Sequence, residues 1–199
     1  MSGSTAPELI AALEDAQRLG FLGARPIADV IAHARGFVRA LTDHDEIRTV
    51  LDLGAGGGVP GLVIAHDLPH LHVTLLDRRA KRTDFLERVV RRLGWTDRCS
   101  VICTDVARFT PPDRFDAVVA RGFGPPEFTL SVAARQVRLG GPMVISEPPG
   151  ADRWDPALLA ELGVRRSPAG VDQQADTPET QAVHESGDIN GLVAVFVTT

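Results

Sequence analysis

Apolar positions recur at helical spacing in the first part of the chain. The segments Pro7–Leu19 and Pro26–Leu41 each have a proline near the first turn, where a missing N–H costs no hydrogen bond, and each presents one apolar stripe. The stripe of the second segment consists of Ile27, Val30, Ile31, Ala34, Phe37, Val38 and Leu41. We therefore expect two amphipathic helices within residues 1–48 that pack on a main domain at 49–199.

From residue 49 onward, short apolar runs alternate with helical patterns. The runs predict strands at Thr49–Leu53, His72–Leu76, Cys99–Cys103, Phe115–Ala120 and Pro142–Ser146. The helical patterns predict helices at Pro60–His66, Lys81–Leu93, Pro126–Val137 and Pro156–Leu162. Strands that alternate with helices are typical of a parallel sheet covered by helices on its faces.

The tail has a different pattern. Gln181–Glu185 and Leu192–Val197 are strand-like runs joined by the turn residues Gly187, Asp188, Asn190 and Gly191, which predicts an antiparallel hairpin. Pro168–Pro178 is polar and predicts a surface loop. The expected fold class is α/β, with a doubly wound, mostly parallel, Rossmann-like sheet that ends in this hairpin.

Composition narrows the class of protein. Hydrophobic residues make up 44% and charged residues 24% of the chain, as in ordinary globular proteins. No apolar run approaches the roughly 20 residues that span a bilayer, and the first residues lack a basic region followed by an apolar stretch, so we expect a cytoplasmic protein. We also expect a monomer. The net charge of −5 argues against an extensive nucleic-acid footprint but leaves a local one open.

A metal site is not expected. Cys99 and Cys103 are separated by three residues, which fits neither a CxxC redox pair nor a zinc ligand set. His66, His70 and His72 lack acidic or cysteine partners at metal-binding spacing. We interpret the cysteines as buried thiols and the histidines as surface and strand residues.

The segment 50–61, VLDLGAGGGVPG, joins an apolar strand to a run of glycines and a helix start. Glycines let a ligand lie against the backbone, as expected here at Gly54, Ala55 and Gly56, and a helix N-terminus offers N–H groups to an anion. The spacing formally satisfies GxGxxG, so a dinucleotide is one alternative. Asp52 favours S-adenosylmethionine instead, because its carboxylate attracts the methionine ammonium group and repels a pyrophosphate. The antiparallel tail, unusual in nicotinamide-binding domains, also favours it.

Two more aspartates follow predicted strands. Asp77 ends the second strand, where its carboxylate can accept both ribose hydroxyls of a nucleoside cofactor, NAD included. Asp105 follows the third strand, at the sheet edge where an adenine would lie. A helix cap or solvated turn is the alternative for each aspartate alone, but together with Asp52 they mark three successive strand ends.

The motifs together resemble a known family. They are DLGAGGGVPG at 52–61, TLLD at 74–77, Lys81-Arg82, Phe85-Leu86, and Phe115-Asp116 leading to Arg121. They are similar to the glucose-inhibited division B family, class I methyltransferases that methylate a guanine at N7 in 16S rRNA. The resemblance covers Thr49 to about Gly141. It implies S-adenosylmethionine as cofactor, 16S rRNA or the small ribosomal subunit as partner, and cofactor contacts at Gly54, Val59, Val106, Ala107 and Arg121.

The segment after the fourth strand agrees with that chemistry. Residues 120–126 read ARGFGPP, without the Asn-Pro-Pro-aromatic motif for an exocyclic amine or the Pro-Cys pair for a pyrimidine ring. Guanine N7 already has a nucleophilic lone pair, so alignment with the methyl donor can supply most of the rate without a general base. Arg121, the candidate catalytic residue, holds either the cofactor carboxylate or the base. A structural salt bridge is its alternative.

Departures from the family concern the acceptor side. Glu147 stands where the family has a Lys-Gly pair and places an acid near the expected acceptor, and the family's Trp-Asn element and basic C-terminal finish are absent. The basic stretch consists of Arg78, Arg79, Lys81, Arg82, Arg88, Arg91, Arg92 and Arg98. It follows a phosphate backbone or forms a solvated helix face. A small-molecule methyltransferase and a non-catalytic cofactor-binding protein therefore stay open as alternatives.

Overall fold

A computed structural model of the chain describes residues 6–147, 154–167 and 192–198. Its helices are α1 (Pro7–Arg18), α2 (Ile27–Thr42), α3 (Gly61–Asp67), α4 (Ala80–Arg92), α5 (Pro126–Gln136) and α6 (Pro156–Glu161), with a 3-10 turn at Val106–Arg108. Its strands are β1 (Thr49–Leu53), β2 (His72–Asp77), β3 (Cys99–Cys103), β4 (Ala117–Ala120), β5 (Pro142–Glu147), β6 (Val164–Arg166) and β7 (Leu192–Thr198).

Seven strands of the described chain form one sheet in the order β3-β2-β1-β4-β5-β7-β6. Strands β1 to β5 pair in parallel, whereas β7 pairs antiparallel with both β5 and β6. The chain order reverses at β1, which has β2 on one side and β4 on the other, and ligands of open α/β sheets bind at the carboxyl edge of such a switch point. The predicted doubly wound, mostly parallel sheet with antiparallel C-terminal strands is confirmed.

The fourth strand begins two residues later than the sequence predicted. Phe115 forms an isolated bridge with Val137 instead of joining β4. The next residue, Asp116, turns its carboxylate toward β1, where Oδ2 accepts the backbone N–H groups of Arg48 and Thr49 at 2.9 Å each. The regular strand therefore starts at Ala117.

The antiparallel end of the sheet contains a strand that the sequence analysis missed. The described partner of β7 at the sheet edge is β6, whose three residues Val164, Arg165 and Arg166 are too few and too polar to predict a strand. The strand predicted at 181–185 and the loop predicted at 168–178 lie outside the described residues.

The N-terminal helices pack on the sheet through the predicted stripes. Leu9, Leu13 and Ala16 of α1 and Val30, Ile31, Ala34 and Phe37 of α2 belong to the same hydrophobic cluster as Val50 of β1 and Val195 of β7. The loop between these helices is thereby held beside the carboxyl edge of the sheet.

Within the described ranges, we find no helix with the length and hydrophobicity to span a membrane.

Candidate functional site

Two cavities open at the carboxyl edge of the sheet. The larger has a volume of about 660 Å³ and is lined by the glycine loop after β1, the α1–α2 loop, the start of α2 and the ends of β4 and β5. The smaller, of about 450 Å³, is lined by the ends of β2 and β3 and by the β4–α5 loop. Five residues, Gly54, Arg82, Gly122, Phe123 and Gly124, line both. The cavities therefore form two parts of one groove that crosses the end of β1.

The glycine loop lines the larger cavity at Gly54–Gly57 and Val59. Gly54 and Gly56 have φ angles of +69° and +56°, which a residue with a side chain rarely adopts, and both line the larger cavity with Ala55 and Val59. The other glycines pack against the protein itself: β-carbons at Gly57, Gly58 and Gly61 would clash with the side chains of Leu22, Leu62 and Leu75. Within this stretch, Gly56 is the glycine whose backbone meets the cavity without a close side-chain contact, because a β-carbon on Gly54 would clash with Phe123.

Asp77 connects the end of β2 to the glycine loop. Its buried carboxylate accepts the backbone N–H of Gly56 at 3.0 Å and that of Arg79 at 2.9 Å, and Arg82 Nη1 lies 3.4 Å from Oδ2. Asp77 also lines the smaller cavity. The carboxylate both shapes the loop and faces the space where the sequence predicted a ribose.

Asp52 lies beneath the glycine loop and lines neither cavity. It is 1% exposed, and its Oδ2 accepts the backbone N–H of Gly61 at 2.9 Å, which holds the first turn of α3 against β1. Oδ1 has no hydrogen-bond partner among the described residues. Burial raises the pKa of Asp52 to about 7, and the Gly61 N–H and the positive charge of Arg121 oppose that rise. The carboxylate predicted to attract the cofactor ammonium thus lies behind the loop and outside both cavities.

Arg121 follows β4 and lines the larger cavity. Burial lowers the pKa of its guanidinium, Asp52 raises it, and Arg25 lowers it. Within the described ranges Arg121 makes no salt bridge within 4.0 Å, so the structural ion pair that the sequence left open is not formed there. Its charge faces a cavity and a buried carboxylate.

The residues after β3 form the cap of the 3-10 turn and part of the wall of the smaller cavity. Asp105 accepts the backbone N–H of Ala107 at 2.9 Å and caps the 3-10 turn, which is the alternative role that the sequence suggested. Asp105 and Val106 also line the smaller cavity, whereas Ala107 lines neither cavity.

Glu147 does not leave an uncompensated acid at the acceptor side. Its buried carboxylate accepts hydrogen bonds from Trp154 Nε1 and, at 2.8 Å, from Arg166 Nη2, although the residue lines the larger cavity. The local reversal of charge expected from the sequence is therefore offset by Arg166 of β6.

Several residues at the groove were missed by the sequence analysis. Phe21 and Arg25 of the α1–α2 loop and His33 of α2 line the larger cavity, although the sequence assigned these helices to packing alone. Burial and the nearby charges of Arg121 and Arg25 lower the pKa of His33 to about 4, so its imidazole is neutral near pH 7. No motif marks these residues, because only the packing of α2 on the sheet brings them to the glycine loop.

The basic stretch is only partly a free surface. Arg82 pairs with Asp77, Arg92 lies 3.2 Å from Asp15, and the Arg98 guanidinium lies 4.5 Å from the centre of the Trp95 ring. The side chains of Arg78, Arg79, Lys81, Arg88 and Arg91 are exposed, with no partner among the described residues. Arg78 and Arg79 line the smaller cavity. No cluster that could hold a metal ion occurs in the ranges that the structure covers.

The strand order and the glycine loop at the switch point define the class I, S-adenosylmethionine-dependent methyltransferase fold. The chain is similar to the S-adenosylmethionine-dependent methyltransferase SibL in its apo form, with a TM-score of 0.62 and 18% identity over 95% of this chain and 69% of that one. It is also similar to the cofactor-bound protein Rv0187 from MTB, with a TM-score of 0.62 and 17% identity over 100% of this chain and 91% of that one.

Sequence comparison identifies the family. Residues 14–147 match the family described as rRNA small subunit methyltransferase G, and the chain belongs to this family. The match starts inside α1 and so covers more of the chain than the motifs between 49 and 141 that first indicated the resemblance.

Individual relatives match over shorter segments. The ribosomal RNA small subunit methyltransferase G of Thermotoga neapolitana is 36% identical over 109 residues, 53% of this chain and 47% of that protein. The protein of the same name from Laribacter hongkongensis is 42% identical over 74 residues, 37% of this chain and 35% of that protein. The matched segments therefore span about half or less of these curated relatives.

Proposed function

We propose that this chain transfers a methyl group from S-adenosylmethionine to N7 of a guanine in 16S rRNA, acting as a monomer in the cytoplasm. The observation that carries the proposal is the groove at the switch point of the sheet, in a chain that belongs to the rRNA small subunit methyltransferase G family. One end of the groove has carboxylates suited to a nucleoside, and the other end has the guanidinium of Arg121.

The residues along the groove fit S-adenosylmethionine. Gly56 offers backbone that no side chain crowds, Gly54 lies where the two cavities meet, and the buried carboxyl of Asp52 lies behind this loop. When bound, the cofactor supplies a methyl group on a positively charged sulfur. Asp77 would accept the ribose hydroxyls, with Asp105, Val106 and Ala107 on the adenine side. Gly54, Ala55, Gly56 and Val59 would line the methionine part, and Arg121 would bind its carboxylate.

Methyl transfer to guanine N7 requires little from the side chains beyond the alignment of the base with the methyl group. Guanine N7 attacks with a ring lone pair, the bond from N7 to the methyl carbon forms as the carbon–sulfur bond breaks, and no proton leaves. The chain must therefore hold the base in line with the methyl group and exclude water. Arg121 serves this alignment by fixing the methionine end of the cofactor or by contacting the base.

The pairing of Glu147 bears on the alternative of a small-molecule acceptor. That alternative drew support from an acid near the acceptor, and the ion pair between Glu147 and Arg166 compensates that acid. The exposed cations Arg78 and Arg79, which line the smaller cavity, support a polyanionic acceptor instead.

The test is the transfer of labelled methyl from S-adenosylmethionine to small ribosomal subunits taken from a strain that lacks this gene. Protein-free rRNA and a metabolite extract are incubated alongside, and the Arg121→Ala variant is the negative control. We expect label in rRNA that maps to one guanine. Label in the extract alone would favour the small-molecule enzyme, and no label despite cofactor binding would favour a non-catalytic binding protein.

A further inference from the structure

The side chain of Phe123 divides the groove. The ring lies over Gly54, with Cδ2 2.7 Å from the position that a β-carbon on Gly54 would take. Phe123 is half-buried, and it lines both cavities at the point where they meet. A gap of this size does not accommodate even a methyl group above Gly54.

A cofactor that reaches from Asp77 to Arg121 must cross this point. Asp77 lines only the smaller cavity, Arg121 lines only the larger cavity, and Gly54 lines both. The Phe123 ring therefore occupies space that the proposed cofactor needs. Either the ring moves or the cofactor does not bind in an extended form.

The local structure permits that movement. Phe123 stands between Gly122 and Gly124, and Gly122 has a φ angle of +62° and open space on the side where a β-carbon would point. The ring of Phe123 stacks on Phe128, with centroids 5.8 Å apart and an interplanar angle of 13°, and Phe128 is itself 51% exposed. The ring thus packs partly against the hydrophobic cluster at the strand ends and partly on a neighbour at the surface.

The larger cavity has polar side chains in its wall. Thr129 lines this cavity, is buried, and has a hydroxyl without a hydrogen-bond partner among the described residues. His33 lines it as well, with a buried Nδ1 that also lacks a partner among them. Unpartnered buried polar atoms are uncommon, and the two residues that carry these atoms give the wall of this cavity a polar character. An unpaired nucleobase combines polar edges with a flat face that an aromatic ring can stack on.

We propose that Phe123 covers Gly54 while the cofactor groove is empty and, once the cofactor displaces it, stacks on the acceptor base in the larger cavity. Phe123 then couples the two substrates, because the ring becomes available to the base only after the cofactor has bound. The stacking half of this inference rests on the proposed function, whereas the displacement half rests on cofactor binding alone.

The test compares Phe123→Ala, Phe123→Leu and Phe123→Trp with the wild-type chain. The matched control is Leu139→Ala, because Leu139 is 73% exposed and lies between α5 and β5, at the opposite edge of the sheet. Calorimetry with S-adenosylhomocysteine measures cofactor affinity. Methyl transfer to unmodified small subunits gives kcat and KM.

We expect Phe123→Ala to bind S-adenosylhomocysteine at least as tightly as the wild type, because no ring must be displaced. Its kcat/KM for the subunit should fall about 5- to 150-fold, the range that alanine substitution of a base-stacking aromatic gives. Phe123→Trp should retain methyl transfer close to that of the wild type, whereas Phe123→Leu should lose it as Phe123→Ala does. Weaker cofactor binding by Phe123→Ala, unchanged transfer, or full activity of Phe123→Leu would overturn the proposal.

A fluorescence measurement separates this inference from the proposed function. The indole of Phe123→Trp should change its emission when S-adenosylhomocysteine binds, and the wild-type chain corrects for Trp95 and Trp154. An unchanged corrected signal, with binding verified by calorimetry, would overturn the displacement. If the wild type binds the cofactor but methylates no rRNA, the proposed function and the stacking of Phe123 on the acceptor base are both wrong. The emission change still tests whether the cofactor displaces the ring.

Discussion

The carboxylate of Asp77 accepts the backbone N–H of Gly56 at 3.0 Å and so joins the end of β2 to the glycine loop after β1. The two residues are 21 positions apart, and the parallel pairing of β1 with β2 brings them together. The same carboxylate lines the cavity proposed for the ribose. Under the proposed function, loop geometry and cofactor recognition would therefore depend on one side chain.

Asp77→Asn tests this double role. The amide retains the shape of the side chain but lacks the negative charge, and hydrogen bonds to charged groups contribute about 1.5–3 kcal/mol. We expect the affinity for S-adenosylhomocysteine, measured by calorimetry, to fall about 10- to 100-fold. Asp84→Asn is the control, because Asp84 is exposed on α4 and lines neither cavity. Equal affinities of the two variants would exclude Asp77 from the cofactor site.

The buried carboxyl of Asp52 predicts a pH dependence of stability. Its pKa is raised from an ordinary value of 3.8 to about 7, so the folded state binds the proton more tightly than the unfolded state. The contribution of this proton to the free energy of unfolding is fully present below about pH 4 and is lost as the pH rises through about 7. The difference between the raised and the ordinary pKa of Asp52 corresponds to about 4 kcal/mol.

Urea unfolding of the wild type and of Asp52→Asn between about pH 4 and pH 8 measures this effect. We expect the free energy of unfolding of the wild type to decrease relative to that of the variant as the pH rises. Parallel profiles would show that Asp52 titrates near its ordinary value.

Arg121→Gln removes the cation that faces both the larger cavity and Asp52. Loss of a charged hydrogen bond to the cofactor carboxylate should weaken binding of S-adenosylhomocysteine by about tenfold or more. The pKa of Asp52 should rise further, because Arg121 opposes the effect of burial on that carboxyl. Calorimetry and the pH series test both results, and Arg91→Gln is the control, because Arg91 is exposed on α4. Unchanged affinity would remove Arg121 from the cofactor site.

The exposed cations beside the smaller cavity predict a salt dependence. If Arg78 and Arg79 contact RNA phosphates, neutralising each should reduce the slope of log affinity against log salt by about 0.7, the value per phosphate of a single strand. Filter binding of 16S rRNA at several salt concentrations measures the slope for Arg78→Gln and Arg79→Gln. Arg135→Gln is the control, because Arg135 lies near the end of α5, away from the groove. Slopes identical to that of the wild type would show that Arg78 and Arg79 do not contact RNA phosphates.

Glu147 should contribute to stability and not to cofactor binding. Removing one partner of a buried ion pair leaves the other charge uncompensated, so Glu147→Ala should lower the free energy of unfolding by about 3 kcal/mol. Binding of S-adenosylhomocysteine should stay close to that of the wild type. The exposed Glu127 on α5 provides the control variant Glu127→Ala. Full stability together with lost methyl transfer would instead place Glu147 at the acceptor.

Local patterns were sufficient for most elements of the sheet. The predicted limits of β1 and β3 agree with the observed ones. For β1 the reason is that a buried parallel strand is a short apolar run bounded by polar or glycine residues. The edge strand β6 was missed, because its two arginines leave no apolar pattern and only pairing with β7 makes Val164–Arg166 a strand. Local patterns do not reveal segments whose partner lies far along the chain.

The sequence by itself determined the class of fold, the glycine loop and the acidic strand ends at Asp52 and Asp77, since each depends on residues adjacent in the chain. Only the tertiary structure decided what those residues face: Asp52 lies behind the loop, Glu147 pairs with Arg166, and Phe123 covers Gly54. The physical reason is that propensity and hydrophobic periodicity act over a few residues. The partner of a buried charge or ring is chosen by packing between elements that are distant in sequence.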